Sequence, residues 1–147
     1  MIDIDDFSVF NDEHGHQTGD EMLRRTALVL RSALRSCDLV GRWGGEEFLA
    51  VLPDTDPEGA VVVAERLRGA VEADAFYDLP RFPSDGDEAR ERLRLRVTVS
   101  VGVATTDRPS APRPDELIRR ADAALYAAKR AGKNRVVSAP PEADSGA

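Results

Sequence analysis

Two short apolar runs, Leu39 to Trp43 and Phe48 to Leu52, flank Gly44-Gly45, and this arrangement limits the fold more than any other feature of the chain. Adjacent glycines between strand-like runs predict a tight β-hairpin. Upstream, Leu23, Ala27, Leu30 and Leu34 recur at helical spacing behind Thr18-Gly19-Asp20-Glu21, which reads as a capping box. An amphipathic helix over 19–35 is expected, after a mixed polar and aromatic stretch over 7–17 in which Gly15 acts as a breaker. Downstream, Pro53-Asp54-Thr55-Asp56-Pro57 stops the second strand and opens a helix, with Thr55 or Asp56 as cap and Pro57 at its first position. Ala60, Val63, Ala64, Leu67 and Val71 give that helix a buried stripe.

Residues 77–93 hold prolines, a glycine and many charges, and read as a solvated loop. Val97, Val99, Val101 and Val103 then alternate with Thr98, Ser100 and Gly102, which predicts a strand. A third helix follows Pro114, with Leu117, Ala121, Ala124, Leu125 and Ala128 inward and Gly132 as its stop. Arg135-Val136-Val137 reads as a last short strand. With a short first strand leading into Asp3, the order is a ferredoxin-like βαββαβ arrangement of the α/β (α+β) class. The expected architecture is a palm-type sheet with helices on its faces, plus an extra C-terminal helix and strand. Residues 1–138 form the expected domain and 139–147 a disordered tail.

Composition narrows the function. The chain has 147 residues, 20 Lys+Arg against 27 Asp+Glu, a net charge of −7, which argues against wrapping a nucleic-acid polymer. It leaves room for a small phosphorylated ligand held by metal and a few cations. No apolar run approaches the roughly 18 residues of a membrane span, so no membrane contact is expected. Met1-Ile2-Asp3 resembles no signal peptide, and the single Cys37 excludes an internal disulfide framework and fits a reducing cytoplasm.

Topology gives the acids their meaning. If the first crossover is right-handed, strands 1 and 2 run the same way and strand 3 returns antiparallel beside strand 1. Asp3 then meets Glu46-Glu47 at one sheet edge. Two unit charges roughly 4 Å apart repel by about 4 kcal/mol at an effective dielectric near 20. A fold that keeps carboxylates together neutralises them with a divalent cation or protonates one. Oxygen-only ligands suit Mg²⁺ or Mn²⁺, with substrate phosphate and water completing the shell. The other reading of a Gly-Gly-Glu-Glu turn is a solvated acidic hairpin, and Asp3-Ile4-Asp5 on the neighbouring strand weighs against it.

Arg42-Trp43-Gly44-Gly45-Glu46-Glu47-Phe48 resembles the signature turn of the GGDEF domains, the diguanylate cyclases, in its GGEEF form. Asp3-Ile4-Asp5-Asp6-Phe7, Asn11-Asp12, Gly15-His16 and Gly19-Asp20 resemble the family's first strand and following loop. Val97 to Val103, Ala121 to Tyr126, and Ala128-Lys129 through Asn134-Arg135 resemble its later part. The resemblance implies condensation of two GTP to cyclic di-GMP with release of pyrophosphate, in a homodimer whose two sites face each other. It implies metal binding by Asp3, Glu46, Glu47 and the Ile4 carbonyl. Glu46 and Glu47 would activate the 3′-hydroxyl, with the proton acceptor left open between them. Asn11 and Asp20 would read guanine, His16 would lie near the nucleotide, and Lys129 and Lys133 would contact the β and γ phosphates.

Arg35-Ser36-Cys37-Asp38 has the spacing of the family's inhibitory product site, which implies cyclic di-GMP bound by Arg35 and Asp38 with Arg66 and Arg42 assisting. The other reading of this Arg-x-x-Asp is a helix-end ion pair. Asp20 could equally serve a helix N-terminus, Asn11 a turn, and Lys129 and Lys133 the dipole at a helix C-terminus. His14-Gly15-His16 lacks a third zinc ligand. Ser8 stands where the family commonly carries Lys, and Lys133 where many members carry Arg. The family's helix, loop and Asp-x-Leu-Thr-Gly segment ahead of strand 1 are absent here, so the chain reads as N-terminally truncated. The alternative function is a module of the same fold that binds GTP or cyclic di-GMP for regulation without turnover.

Overall fold

The computed structural model describes residues 1–74, 76–77, 94–106 and 113–140. Its centre is a three-residue strand, β1 (Ile2–Ile4), buried throughout. Two helices follow, α1 (Phe7–His14) and α2 (His16–Ser32), then the hairpin β2 (Leu39–Arg42) and β3 (Glu47–Val51), and helix α3 (Pro57–Ala73). A small ribbon pairs β4 (Phe76–Tyr77) with β5 (Arg94–Leu95). The chain closes with β6 (Val99–Val103), α4 (Pro114–Arg130) and β7 (Val136–Ser138). The five-stranded sheet has the order β2-β3-β1-β6-β7. β1 is antiparallel to both β3 and β6, and β7 runs parallel to β6. This is the expected ferredoxin-like arrangement with its added helix and strand.

Alternation along the strands sends the side chains to two faces. Ile2, Ile4, Phe48, Val99, Val101 and Val103 join the main core with Phe7, Phe10, Met22, Leu23 and Leu30 of α1 and α2. α3 adds Ala60, Val63, Ala64, Leu67 and Val71, all of the stripe its periodicity predicts. Asp56 caps that helix by accepting from Gly59 N at 2.7 Å, and Pro57 takes its first position. A second cluster joins Met1, Ala121 and Leu125, with Leu49 and Ala104 against them. Among the described residues no helix is long and apolar enough to cross a membrane.

Several expectations need correction. Residues 7–14 form α1 rather than an irregular stretch, anchored by the stacked rings of Phe7 and Phe10, 6.2 Å between centroids. α2 starts at His16, so Thr18 and Glu21 lie inside it and form no capping box. Its start is set by Gly15, at φ 84° and ψ 155°, a region only glycine enters readily. Gly15 N also donates to Asn11 O at 2.7 Å and closes α1. Val97 and Thr98 lie outside β6, whose partner β1 ends at Ile4, although Thr98 O still accepts from Asp5 N and its hydroxyl donates to the Asp5 carboxylate. Leu117 is half-buried, and Arg120 is buried instead, donating to Thr105 O and Pro140 O. Of the expected tail, Ala139 bonds Val103 O at 2.7 Å and Pro140 accepts from Arg120. Residues 141–147 lie outside the described residues, as does the loop expected over 77–93 apart from Tyr77, which ends β4.

α4 docks on β6 through Gly102. A Cβ built there would stand 2.1 Å from Ala121 O and 2.3 Å from Leu125 N, both backbone atoms that cannot yield separately. Gly102→Ala is therefore expected to destabilise by about 3 kcal/mol or more, the upper range for overpacking. Gly45→Ala, whose Cβ would meet nothing within 4 Å, should stay within about 0.5 kcal/mol of the parent. Urea unfolding of the three proteins measures this, and equal losses would remove the close helix approach as the cause.

Candidate functional site

β1 delivers Asp3 to the edge of the sheet where the hairpin turns. Asp3 is opposite Glu47 of β3 on one side and Ser100 of β6 on the other. Ile4 N donates to Glu46 O at 3.2 Å, which sets the second glutamate beside the same strand. The turn itself is held from outside: Trp43 N donates to Glu47 O at 2.8 Å, and Arg42 Nε donates to the Gly44 and Gly45 carbonyls at 3.2 and 3.0 Å. Neither turn glycine takes a positive φ. A Cβ on Gly44 would stand 3.0 Å from Glu47 Oε2, so a larger residue there would press on the end of that glutamate's side chain.

Asp3 is only 4% exposed. Burial pushes its carboxyl above the ordinary value, Lys129 pulls it back with Nζ 2.7 Å from Oδ2, and Glu46 and Glu47 push it up again. Lys129 pairs with Asp3, while Glu46 and Glu47 add like charge to the same edge. Among the described residues no three His, Cys, Asp or Glu side chains stand close enough to enclose a metal ion by themselves. The donor set nevertheless fits Mg²⁺ or Mn²⁺, which need only one or two carboxylates and fill their shell with water and phosphate. Asp3, Glu46, Glu47 and the Ile4 carbonyl are the donors that fit.

Asp5 and Asp6, next along the chain, have separate tasks. Asp5 is buried and satisfied, accepting from Ser100 Oγ and Thr98 Oγ1 at 2.7 Å and from Asn134 N at 3.0 Å. The sequence counts it only as one acid of Asp3-Ile4-Asp5 and gives it no role of its own, although Thr98 and Ser100 alternating with valines mark a polar partner on one face. Asp6 turns the corner into α1 in the left-handed region, at φ 55°, and accepts from Lys133 Nζ. Lys129 therefore reaches Asp3 of β1, and Lys133 reaches Asp6 at the corner that follows it.

Asn11 and Gly19 meet where α1 crosses α2. A Cβ on Gly19 would fall 1.8 Å from Asn11 Oδ1, so only glycine admits this side chain. Asn11 Oδ1 is buried and has no hydrogen-bond partner among the described residues, which costs about 1–3 kcal/mol if left so. Asp20 follows Gly19, exposed, and lines a groove of about 430 Å³ with Leu23, Arg24 and Arg31 of α2 and Arg42 and Phe48 of the hairpin. His16 is exposed at the first turn of α2.

Arg35 and Asp38 form a closed unit behind α2. Asp38 is fully buried and accepts from Arg35 N at 2.9 Å and from its guanidinium at 2.9 Å, while the same guanidinium reaches Thr55 Oγ1 at 2.7 Å. The Arg35 guanidinium holds the Asp38 carboxyl below the ordinary carboxylate range. Arg66 is exposed on α3. Arg42 lies at the far end of β2 from Asp38, about 13 Å away at the usual rise of a strand, and is occupied by the turn carbonyls.

Residues 1–135 match the family described as diguanylate cyclase, GGDEF domain. The chain belongs to the GGDEF family. It is 42% identical over 137 residues to the response regulator PleD of Caulobacter vibrioides, spanning 93% of this chain and 28% of that protein. It is 42% identical over 139 residues to diguanylate cyclase DgcM of Escherichia coli, spanning 95% of this chain and 30% of that one. The chain therefore spans under a third of these relatives. Among solved structures, the GGDEF domain of DgcB from Caulobacter crescentus in complex with c-di-GMP superposes with a TM-score of 0.79 at 34% identity, over 94% of this chain and 74% of that one. The active GGEEF domain of a diguanylate cyclase from Vibrio cholerae gives 0.78 at 32% identity, over 95% and 80%.

The Arg35–Asp38 pair yields a pH-dependent expectation. Asp38 has a folded pKa below its ordinary value of 3.8, so its contribution is full above that value and is lost as pH falls through the lower folded one. Arg35→Ala should lower the melting temperature at pH 7 by leaving a buried carboxylate unpaired. Its deficit against the parent should shrink below the ordinary carboxylate value. A deficit independent of pH in thermal melts would show that packing, not the ion pair, is what the arginine provides.

Proposed function

We propose that residues 1–138 form a catalytic diguanylate cyclase domain that condenses two GTP into cyclic di-GMP and releases pyrophosphate. The observation that carries this reading is the gathering of Asp3, Glu46 and Glu47 at one sheet edge, with Lys129 on Asp3 and Lys133 on Asp6 at the adjoining corner. Bound Mg²⁺ or Mn²⁺ would supply the positive charge that offsets negative charge developing on the α-phosphate. Asp3, the Ile4 carbonyl, Glu46 and Glu47 would hold it.

One of the two hairpin glutamates takes the proton of the attacking 3′-hydroxyl. Lys129 and Lys133 exchange Asp3 and Asp6 for oxygens of the β and γ phosphates, so the leaving pyrophosphate departs against two cations. Asn11 and Asp20 recognise guanine: the carboxylate accepts from the ring N–H and exocyclic amine, and the amide serves the acceptor edge. His16 lies beside the nucleotide. The buried Asn11 Oδ1, without a partner among the described residues, is an acceptor that a ligand N–H would satisfy, while Nδ2 of the same amide serves the base's acceptor edge. Each copy holds one GTP, so two copies face each other as a homodimer, in the cytoplasm where GTP is supplied. Arg35 and Asp38, with Arg66 and Arg42, form a second site for cyclic di-GMP as an inhibitor. The relative solved with c-di-GMP supports that ligand class.

The purified chain with GTP and Mg²⁺ should yield cyclic di-GMP by mass spectrometry, and absence of product from a folded dimer would overturn the reading. Glu47→Gln should cut turnover by about 10²–10⁴-fold, the usual worth of a proton acceptor, while GTP still binds by calorimetry. Gly19→Ala should weaken GTP binding by displacing Asn11, with Mg²⁺-free folding retained by circular dichroism.

A further inference from the structure

The loop between α4 and β7 is held in a costly shape. Gly132, Lys133 and Asn134 have φ of 115°, 61° and 46°, consecutive positive values that only the glycine adopts freely. The helix end supplies part of the hold: Gly132 N donates to Lys129 O at 3.3 Å and Lys133 N to Ala128 O at 3.1 Å. The rest passes through Asn134. Its backbone N donates to Asp5 Oδ2 at 3.0 Å, its amide Nδ2 donates to Glu72 Oε1 at 2.7 Å, and its Oδ1 accepts from Arg68 NH1 at 2.9 Å. Arg68 in turn donates to Glu72 Oε2 at 2.7 Å and Glu65 Oε2 at 2.9 Å. Every polar group of Asn134's side chain is thus committed to α3, on the side away from the hairpin.

What this clamp carries is Lys133. With the loop pinned between the sheet, through Asp5, and α3, through Glu72 and Arg68, the Lys133 ammonium stands at Asp6 on the β1–α1 corner. A lysine is a flexible point charge on a long stem, and only its backbone can be pre-set. The left-handed turn is what aims it. A side chain on an exposed face of α3 therefore controls where a cation stands at the acidic edge.

We infer that Asn134 is a positioning residue which, tied to Glu72 and Arg68, sets Lys133 for the terminal phosphates of the nucleoside triphosphate. This rests on the cyclase reading above, and it extends the machinery to α3 residues that touch no substrate. A positioning role acts only on the phosphates that Lys133 would meet, so its signature is selective. GTP affinity falls when the clamp is cut, and GMP affinity, which has no β or γ phosphate to lose, does not.

Calorimetric titration of the full chain with GTP and with GMP, each with Mg²⁺, tests this. Glu72→Ala removes the amide's acceptor from an exposed helix face without touching the core. Asn134→Gly keeps the left-handed backbone and deletes the clamp. Both should weaken GTP binding about 5- to 20-fold and leave GMP within 2-fold, and Glu72→Gln, which keeps an acceptor oxygen, should recover most of the GTP affinity. Equal losses for GTP and GMP, or no loss for either, overturn the positioning role while leaving the cyclase reading intact. A parent chain that binds neither nucleotide overturns both.

Discussion

Antiparallel pairing of β1 with β3 and β6 at once is the constraint on which the site depends. A three-residue strand has little hold on either neighbour by itself, yet Ile2 and Ile4 are both 1% exposed and carry it into the main core. The residue between them must then face the opposite way. That residue is Asp3, and the pairing register sets it across from Glu47. Burying the two isoleucines and assembling the acidic edge are one event. A shift of one residue in register would send Asp3 into the core and Ile4 to the edge, so apolar burial enforces the placement of the acids.

Two glycines extend that logic to the rest of the site. Gly102 lets α4 lie against β6 at backbone contact, and α4 carries Lys129 and leads into Lys133. Gly19 lets the Asn11 side chain enter between α1 and α2. Neither glycine has a positive φ, in contrast to Gly15 and Gly132, which do. The first pair serves approach, the second chain direction. Close approach fixes which helix faces which acid, and direction fixes where the next side chain points.

The parts legible from sequence are those whose signal is repeated. α3 shows every member of its apolar stripe buried, and the hairpin strands and the order of the sheet follow from runs of apolar residues separated by turn residues. The parts that escaped depend on single, distant partners. α1 has eight residues with two buried aromatic anchors, too few to repeat, and begins at a left-handed Asp6. The apparent capping box lost to Gly15, whose backbone conformation starts α2 at His16, three residues earlier than the start at residue 19 that Thr18 suggested. Asn134 looks like an ordinary loop residue until Glu72 and Arg68, more than 60 positions away, are brought beside it. For Arg35 and Asp38 the spacing allowed an ion pair or a ligand site. The structure contains the ion pair, and a ligand would have to compete with Asp38 and Thr55 for the same guanidinium.

The same competition runs through the acidic edge. Lys129 with Asp3 and Lys133 with Asp6 are counter-ions supplied by the chain itself. They let a protein with a net charge of −7 keep carboxylates together without substrate. Lys133–Asp6 is solvated on both sides and weak, and the buried Asp3 is held by the single Lys129 contact, whereas the buried Asp38 is gripped by the Arg35 guanidinium and backbone N–H together. Weak pairing is what a phosphate-handling edge requires. Under the proposed cyclase reading, a divalent cation arriving with a triphosphate would bring positive charge for the acids and negative charge for the lysines, so these internal pairs would be replaced together. A tighter internal pair would stabilise the empty fold at the expense of the exchange, and the half-exposed lysines on one helix end and its following loop avoid that.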